Sequence, residues 1–504
     1  MGTPLDRSMT VEGHWFLPDA PADRHYGVLH FDGVTGPTLD LRGHFSSELP
    51  LTMDAPFRPL IVLGETDDGK GCSLIDAAQV GHTTRAVGKE QRTLTAELAL
   101  IGQIHAGADG KLPIEEVRVQ VRHLPEWLDI HPFRWWFDDI PGKSVASARF
   151  EKPQPLDLRI DGAVLRLETL LGSASHDERS LEWRASTRLS YRPERPEDLR
   201  VVLARLAIVR DFLSLHFGSA ALFLEAEMIP HLEDGEDPDN PTPAIILFQQ
   251  DLGPPRRRVA SYNVLIPLKA FRRSIGEALA DWFEIHARVG PATDLLLDSF
   301  GHTGRPVNKL LTVSRAFEML HRGLVGGEYL PAGDYQKVYE TLTEAIPGDV
   351  PRGLRDRLKG SLKYGNEISL RTRLRRALES LTDQNRDLLF PEGVKKFAGT
   401  VADTRNYFTH LSEELRPRAL HGPAVAVAAD RLQMLAWFLL MRELGHSEPV
   451  LVEAVKRDPV WAQRTAYAHG HKESPNAQLA AVLLAAKSPR ADDGSPSSSD
   501  EEEE

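Results

Sequence analysis

The chain has 504 residues, more than one hydrophobic core usually organises, so at least two domains are expected. With 41% hydrophobic and 26% charged residues its composition is that of an ordinary globular protein, and a single cysteine, Cys72, excludes a disulfide-stapled scaffold. The formal charge of −13 is concentrated at one end: residues 491–504 hold seven acids and no base, and without them the balance is −6.

Residues 1–16 lack the basic start and apolar run of a signal peptide, so export is not expected and a reducing cytoplasm is the expected compartment. From about residue 10 to 265 the text is strand-like. Short β-branched or alternating segments at 26–36, 37–45, 59–77 and 114–124 are separated by Gly, Pro, Asp and Asn. In Val117, Arg118, Val119, Gln120, Val121 and Arg122 the alternation is strict, which predicts a strand with its valines on one buried face. One helix is expected within 196–218, strands resume at 244–250 and 262–268, and 231–243 reads as a loop. Gly64 to Lys70 has the spacing of a phosphate-binding loop, but Gly71 stands where a Ser or Thr should hold magnesium, and Asp67 and Asp68 would repel phosphate. A hairpin turn is the better reading.

Beyond about residue 270 the hydrophobic period changes from two to 3.6. Helices are predicted at 271–289, 306–323, 334–346, 351–359, 367–383, 392–415, 421–445 and 474–487. The apolar stretch 424–444 contains Asp430, Arg431 and Arg442, which suit a packed helix and are costly in a bilayer, so no membrane partner is expected. The expected architecture is α+β and multidomain: a β-rich domain at 1–270, an all-α bundle at 271–488, and an acidic tail at 489–504 too polar to fold. That tail reads as a solubilising end, with a guard over a basic groove as the sharper alternative.

His469 and His471 lack the neighbours that zinc spacing requires, there is no HExxH or Gly-x-Ser-x-Gly motif, and Cys72 has no activating base in view, so neither a metal nor a cofactor is expected. The predicted helix at 392–415 is more informative. Val394, Phe397, Val401, Thr404, Phe408, Leu411 and Leu415 recur at steps of three and four and form an apolar seam. At about 100° per residue, Asn406 and His410 point away from that seam and Arg405 lies on its flank. An exposed Arg, Asn and His on one turn and a half suit a phosphodiester, since arginine grips phosphate oxygens and histidine moves protons near neutral pH. In metal-free RNA cleavage the 2′-hydroxyl attacks its own phosphate, one group takes that proton and another protonates the leaving 5′-oxygen. One histidine is too few, and a two-fold homodimer would bring two Arg and two His into one cleft.

The bare Arg-x-x-x-x-His spacing occurs four times, as Arg118/His123, Arg405/His410, Arg416/His421 and Arg464/His469. The first lies on a strand that sends its two side chains to opposite faces, the third is interrupted by Pro417, and the fourth runs into Gly470 and lacks the Asn. Arg371, Arg373, Arg375 and Arg376 on the helix at 367–383 read equally as part of an RNA path or as a solvated face. Glu318, among apolar residues at helical spacing, reads as structural.

Arg405, Asn406, Tyr407, Phe408, Thr409 and His410 match the Arg-Asn-x-x-x-His signature of HEPN domains, and 314–322 and 362–371 resemble segments of the ApeA-like HEPN subgroup. Gly13 to Phe16 and Tyr26 to Phe31 are similar to the N-terminal domain that accompanies it. The resemblance implies a bacterial anti-phage, abortive-infection protein. Its HEPN domain would be an endoribonuclease acting on RNA, tRNA being a reasonable target, through Arg405, Asn406 and His410, and leaving 2′,3′-cyclic phosphate ends. Its N-terminal domain would sense a phage-derived trigger, such as a protein. The alternatives are a non-catalytic RNA- or partner-binding module of the same fold, and a β-rich sensor that the helical half merely dimerises.

Overall fold

The computed structural model describes residues 5, 7–45, 60–84, 90–103, 105–140, 143–160, 162–176, 181–231, 242–250, 264–301 and 304–469. Most of the expected loop at 231–243, the helix expected at 474–487, His471 and the acidic tail lie outside them. A β-rich N-terminal region is followed by a helical one. The chain divides into two compact units, Met1–Arg305 with Arg315–Val325 and Leu440–Val450, and Pro306–Ser314 with Gly326–Leu439 and Leu451–Glu504.

In the first unit, β1 (Met9–Leu17), β2 (Ala20–Asp32), β3 (Gly36–Arg42), β4 (Leu60–Thr66), β5 (Gly71–Thr84) and β6 (Glu90–Thr95) pair antiparallel in the order β5-β4-β1-β2-β3-β6. β6 returns to β5 through Ala78↔Thr95 to Thr84↔Glu90, which closes a six-stranded barrel. Trp15 fills its centre with no exposed surface, and its indole N–H donates to Gly27 O at 3.2 Å. A Cβ on Gly64 would lie 2.5 Å from the Trp15 ring and one on Gly27 2.9 Å from it, so the tryptophan fits only because both flanking strands carry glycine there. The β4–β5 hairpin turns through Asp67–Lys70, with Thr66 N–H donating to Lys70 O at 2.8 Å and Gly69 at φ +82°, as the sequence predicts and a phosphate loop would not.

From β5 the sheet continues through β7 (Leu98–Gly102), β16 (Ala244–Phe248), β15 (Phe223–Pro230), β8 (Pro113–Val121), β13 (Leu181–Pro193), β12 (Ala163–His176) and β11 (Leu156–Ile160). The expected alternation holds in β8: Val117, Val119 and Val121 are buried. β14 (Glu197–Asp198) pairs with β8, and β9 (Phe133–Ile140) and β10 (Lys143–Phe150) form a separate ribbon. A short α1 (Leu124–Trp127) precedes the ribbon. α2 (Leu199–Phe217) starts where the Asp198 carboxylate accepts from Arg200 N–H and ends at Gly218, φ +72°. α3 (Ile275–Phe300) begins with a Ser274/Glu277 capping box.

A buried histidine pair sits in this unit. His216 Nδ1 lies 2.6 Å from Phe212 O, which can only accept, so Nδ1 carries the proton and Nε2 accepts from His446 Nε2 at 3.1 Å. Both rings contact Phe271. Burial, with His446 alongside, holds His216 well below the usual imidazole range; burial and the Arg273 charge bring His446 down to about 4.

The remaining helices are α4 (Pro306–Val325), α5 (Ala332–Glu344), α6 (Arg352–Lys363), α7 (Leu370–Glu379), α8 (Asp383–Leu389), α9 (Val394–His410), α10 (Pro423–Glu443), α11 (Glu448–Arg457) and α12 (Pro459–Ala468). α8, α11 and α12 were not expected from periodicity. Leu374, Leu378, Phe390, Phe397, Val401, Leu435 and Trp437 form the core of the second unit. α10 is long and apolar enough to cross a bilayer, but its apolar window is mostly buried within the protein, as a core helix requires. Inside this unit the buried Asp430 carboxylate accepts from Lys309 and Arg464, both at 2.8 Å.

Candidate functional site

α9 buries Phe397, Ala398, Val401, Ala402, Asp403, Thr404 and Tyr407. The predicted seam therefore holds at Phe397, Val401 and Thr404 and fails further on. Tyr407 rather than Phe408 is the buried ring, and the helix stops at His410, not at 415, because Leu411 turns into the left-handed region at φ 51° and is 69% exposed. Thr404 helps to fold the chain back: its hydroxyl donates to Thr400 O at 2.6 Å and accepts from Leu420 N–H at 2.9 Å, so the segment after the helix returns alongside α9.

Arg405 and Asn406 are half-buried and His410 is exposed, so full exposure of all three, as the sequence suggested, holds for His410 alone. Arg405 Nη1 donates to Asn406 Oδ1 at 3.0 Å. The asparagine oxygen thereby fixes the orientation of the guanidinium beside it. Lys396, Gly399, Asp403, Asn406 and His410 follow one another at steps of three and four, a polar stripe along one side of α9. Onto its middle comes Arg371 from α7, whose Nη2 donates to Asp403 Oδ1 at 2.7 Å. From the returning segment Arg418 brings Nε to 4.0 Å from Asp403 Oδ2.

The four arginines of α7 separate into two kinds. Arg371, Arg375 and Arg376 are exposed, Arg375 standing 3.7 Å from Glu379. Arg373 is 1% exposed; its guanidinium donates to Gly326 O at 2.7 Å and Gly327 O at 3.4 Å, which corrects its assignment to an RNA path, since it presents nothing to solvent. The periodicity of α7 explains this: Leu370, Arg373, Leu374, Ala377 and Leu378 are its buried stripe, and position 373 falls inside it.

The competing Arg/His pairs are committed elsewhere. Arg118 pairs with Glu116, Arg464 with Asp430, and Arg416 with Glu413. His123 is buried, and His469 Nε2 meets Leu388 O at 2.7 Å. His421, however, packs its ring against Tyr407 at 5.6 Å and Phe408 at 6.3 Å, next to the motif. Glu318 is half-buried. Cys72 is fully buried and its thiol is pushed far above the ordinary range by desolvation, so it is no nucleophile.

Among the described residues one group places three metal-ligand atoms within 4.8 Å of one another, Asp211, His286 and Asp294 in the first unit. Arg210 already donates to Asp211 Oδ1 at 3.1 Å. Sequence spacing gave no sign of this group, nor of the aromatic surface of β9, where Trp135 is 62%, Trp136 43% and Phe137 80% exposed. Arg418 and Asp403 were also missed; the 3-4 recurrence of polar positions along α9 was the available signal for Asp403.

Two family models match the chain, ApeA N-terminal domain 1 over residues 10–282 and Apea-like HEPN over residues 311–449. No curated protein and no solved structure matches it.

Proposed function

The chain belongs to the ApeA-like HEPN family, and from that premise we propose that it is a metal-independent endoribonuclease of anti-phage defence. The observation that carries the reading is the arrangement at the end of α9: a guanidinium held by Asn406 at 3.0 Å, with an exposed His410 one turn on. Arg405 offers donors to the phosphate oxygens as charge builds in the transition state. His410 removes the 2′-hydroxyl proton; the 2′-oxygen bonds to phosphorus as the bond to the 5′-oxygen breaks. A second acid must protonate that 5′-oxygen, and the His410 of a second copy supplies it if two α9 helices meet across a two-fold axis. The products are a 2′,3′-cyclic phosphate and a free 5′-hydroxyl.

In this reading the substrate is cellular RNA, tRNA included, the protein acts in the cytoplasm, and the N-terminal β-rich domain restrains the nuclease until it meets a phage-derived trigger. The test is to incubate the wild-type protein and the Arg405→Ala/His410→Ala variant with total bacterial RNA in EDTA, with and without infected-cell extract, and to sequence the fragment ends. Cleavage by the wild type alone, leaving cyclic phosphate ends, is expected. Equal cleavage by the variant removes the assignment, and RNA binding without products from either protein favours a non-catalytic binding module.

A further inference from the structure

Asp403 is 7% exposed, yet it is approached by two guanidinium groups from different parts of the chain, Arg371 of α7 at Oδ1 and Arg418 of the returning segment toward Oδ2. The side chains of Arg371 and Arg418 stay 47% and 60% exposed. A buried carboxylate satisfied by one cation would explain a structural ion pair. Two half-exposed cations around a single carboxylate leave a net positive charge, with most of their ten N–H donors still turned to solvent. That suits an anion: the carboxylate holds the Arg371 fork through a 2.7 Å hydrogen bond and draws Arg418 by charge at 4.0 Å, while both side chains stay about half exposed.

Its position gives the anion an identity. Asp403 precedes Asn406 by three residues and His410 by seven, so all three lie on one side of α9, and at 1.5 Å per residue Asp403 and His410 are about 10 Å apart along the axis. That is too far for Arg371 and Arg418 to hold the phosphate that reacts at His410. It is a distance at which they meet another phosphate of the same strand, since phosphates succeed one another every few ångströms of rise.

We infer that Arg371 and Arg418, set by Asp403, form a subsite for a backbone phosphate flanking the scissile one, so that the enzyme grips a single RNA strand along the polar stripe of α9. The inference rests on the ribonuclease reading for which phosphate reacts, but the subsite itself is tested by binding. Asp403 is in this account a positioning residue and not a catalytic one.

The experiment uses the full chain carrying His410→Ala, so that RNA is not consumed, and follows the anisotropy of a fluorescein-labelled 20-nucleotide single-stranded RNA across a salt series. Adding Arg418→Ala or Arg371→Ala should weaken binding about tenfold and lower the slope of log K against log salt by about 0.7 for each lost contact. Arg416→Ala, which removes an exposed arginine from the same segment, should change affinity less than about twofold. The inference is overturned if Arg418→Ala and Arg416→Ala have equal effects, or if the RNA does not bind. In the cleaving protein, Arg418→Ala should lower kcat/KM for the 20-nucleotide RNA about tenfold and leave cleavage of a dinucleotide unchanged; equal losses on both overturn it as well. Arg418→Lys, which keeps charge and loses the fork, serves if the alanine variant fails to fold, and should retain the salt slope with weaker binding; wild-type binding by this variant would remove the fork from the account. Failure of the ribonuclease reading appears separately, as cleavage that persists in His410→Ala.

Discussion

Replacing Arg373 separates the structural arginine of α7 from its exposed neighbours. Its guanidinium donates to Gly326 O at 2.7 Å in a site where Arg373 itself is 1% exposed, so Arg373→Ala removes a charge-assisted hydrogen bond worth about 1.5–3 kcal/mol and leaves a half-buried carbonyl without that donor. Loss of the packed aliphatic stem adds about 1 kcal/mol, and relief of burying a charge offsets part of the total, so about 3 kcal/mol of destabilisation is expected. Against a urea dependence of about 1–3 kcal/mol per molar, the unfolding midpoint should fall by about 1 M or more. Arg376→Ala, on the exposed side, should leave it within about 0.5 kcal/mol of wild type. Gly327→Ala tests the same contact from the other side: Gly327 sits at φ +135°, and a Cβ there would lie 2.6 Å from Arg373 Nη1, so comparable destabilisation is expected. An unchanged midpoint for Arg373→Ala, together with a loss of RNA affinity, would refute the reasoning and return Arg373 to the RNA-binding face.

Three further outcomes follow from the same structure. Asp430→Ala leaves Lys309 and Arg464 without their shared buried carboxylate and should cost about 3–5 kcal/mol, read by urea denaturation; a loss below about 1 kcal/mol would show that the network contributes little. For His446, the unfolded chain takes up a proton near pH 6.5 and the folded one only near pH 4, so stability should fall by about 3 kcal/mol as pH drops through that window. His446→Phe should lessen that dependence and leave the part due to His216, which Trp127 fluorescence can follow, since its ring lies 6.3 Å from His216; an unaltered profile would mean that His446 does not contribute to the acid lability. Leu411→Gly should stabilise the protein by about 1 kcal/mol in thermal or chemical unfolding, because Leu411 is 69% exposed and pays for φ 51° without burying its side chain; a destabilised variant would mean that Leu411 makes contacts worth more than its backbone strain.

Period and turn chemistry made much of the fold readable. The valines of β8 alternate because one face is buried, and Asp67–Lys70 turn because Gly69 can take a positive φ. Barrel closure was not readable, because the pairing of β5 with β4, β6 and β7 is a choice among distant partners that no local pattern encodes. The helices α8, α11 and α12 were missed because segments of seven to ten residues offer too few turns for periodicity to stand out.

The site shows the same division between local and distant causes. Helical spacing put Arg405, Asn406 and His410 on one turn and a half of α9, but four Arg/His pairs share that spacing, and the resemblance to the HEPN signature was needed to single this one out. The point at which α9 ends was not, since it depends on Thr404 accepting a hydrogen bond from Leu420, sixteen residues away. Periodicity treated Leu411 and Leu415 as a continuing seam, whereas the chain leaves the helix at His410 and returns with Arg418 toward Asp403. The early stop therefore does more than shorten a helix. Had α9 run to residue 415, its end would lie about 18 Å of helical rise beyond residue 403, with only three residues left in which to bring Arg418 back toward the carboxylate. By ending at His410 the chain exposes that imidazole and brings a second arginine back along the same side. The pair proposed to react and the candidate phosphate grip thus depend on one backbone reversal, which sets the strain at Leu411 beside both.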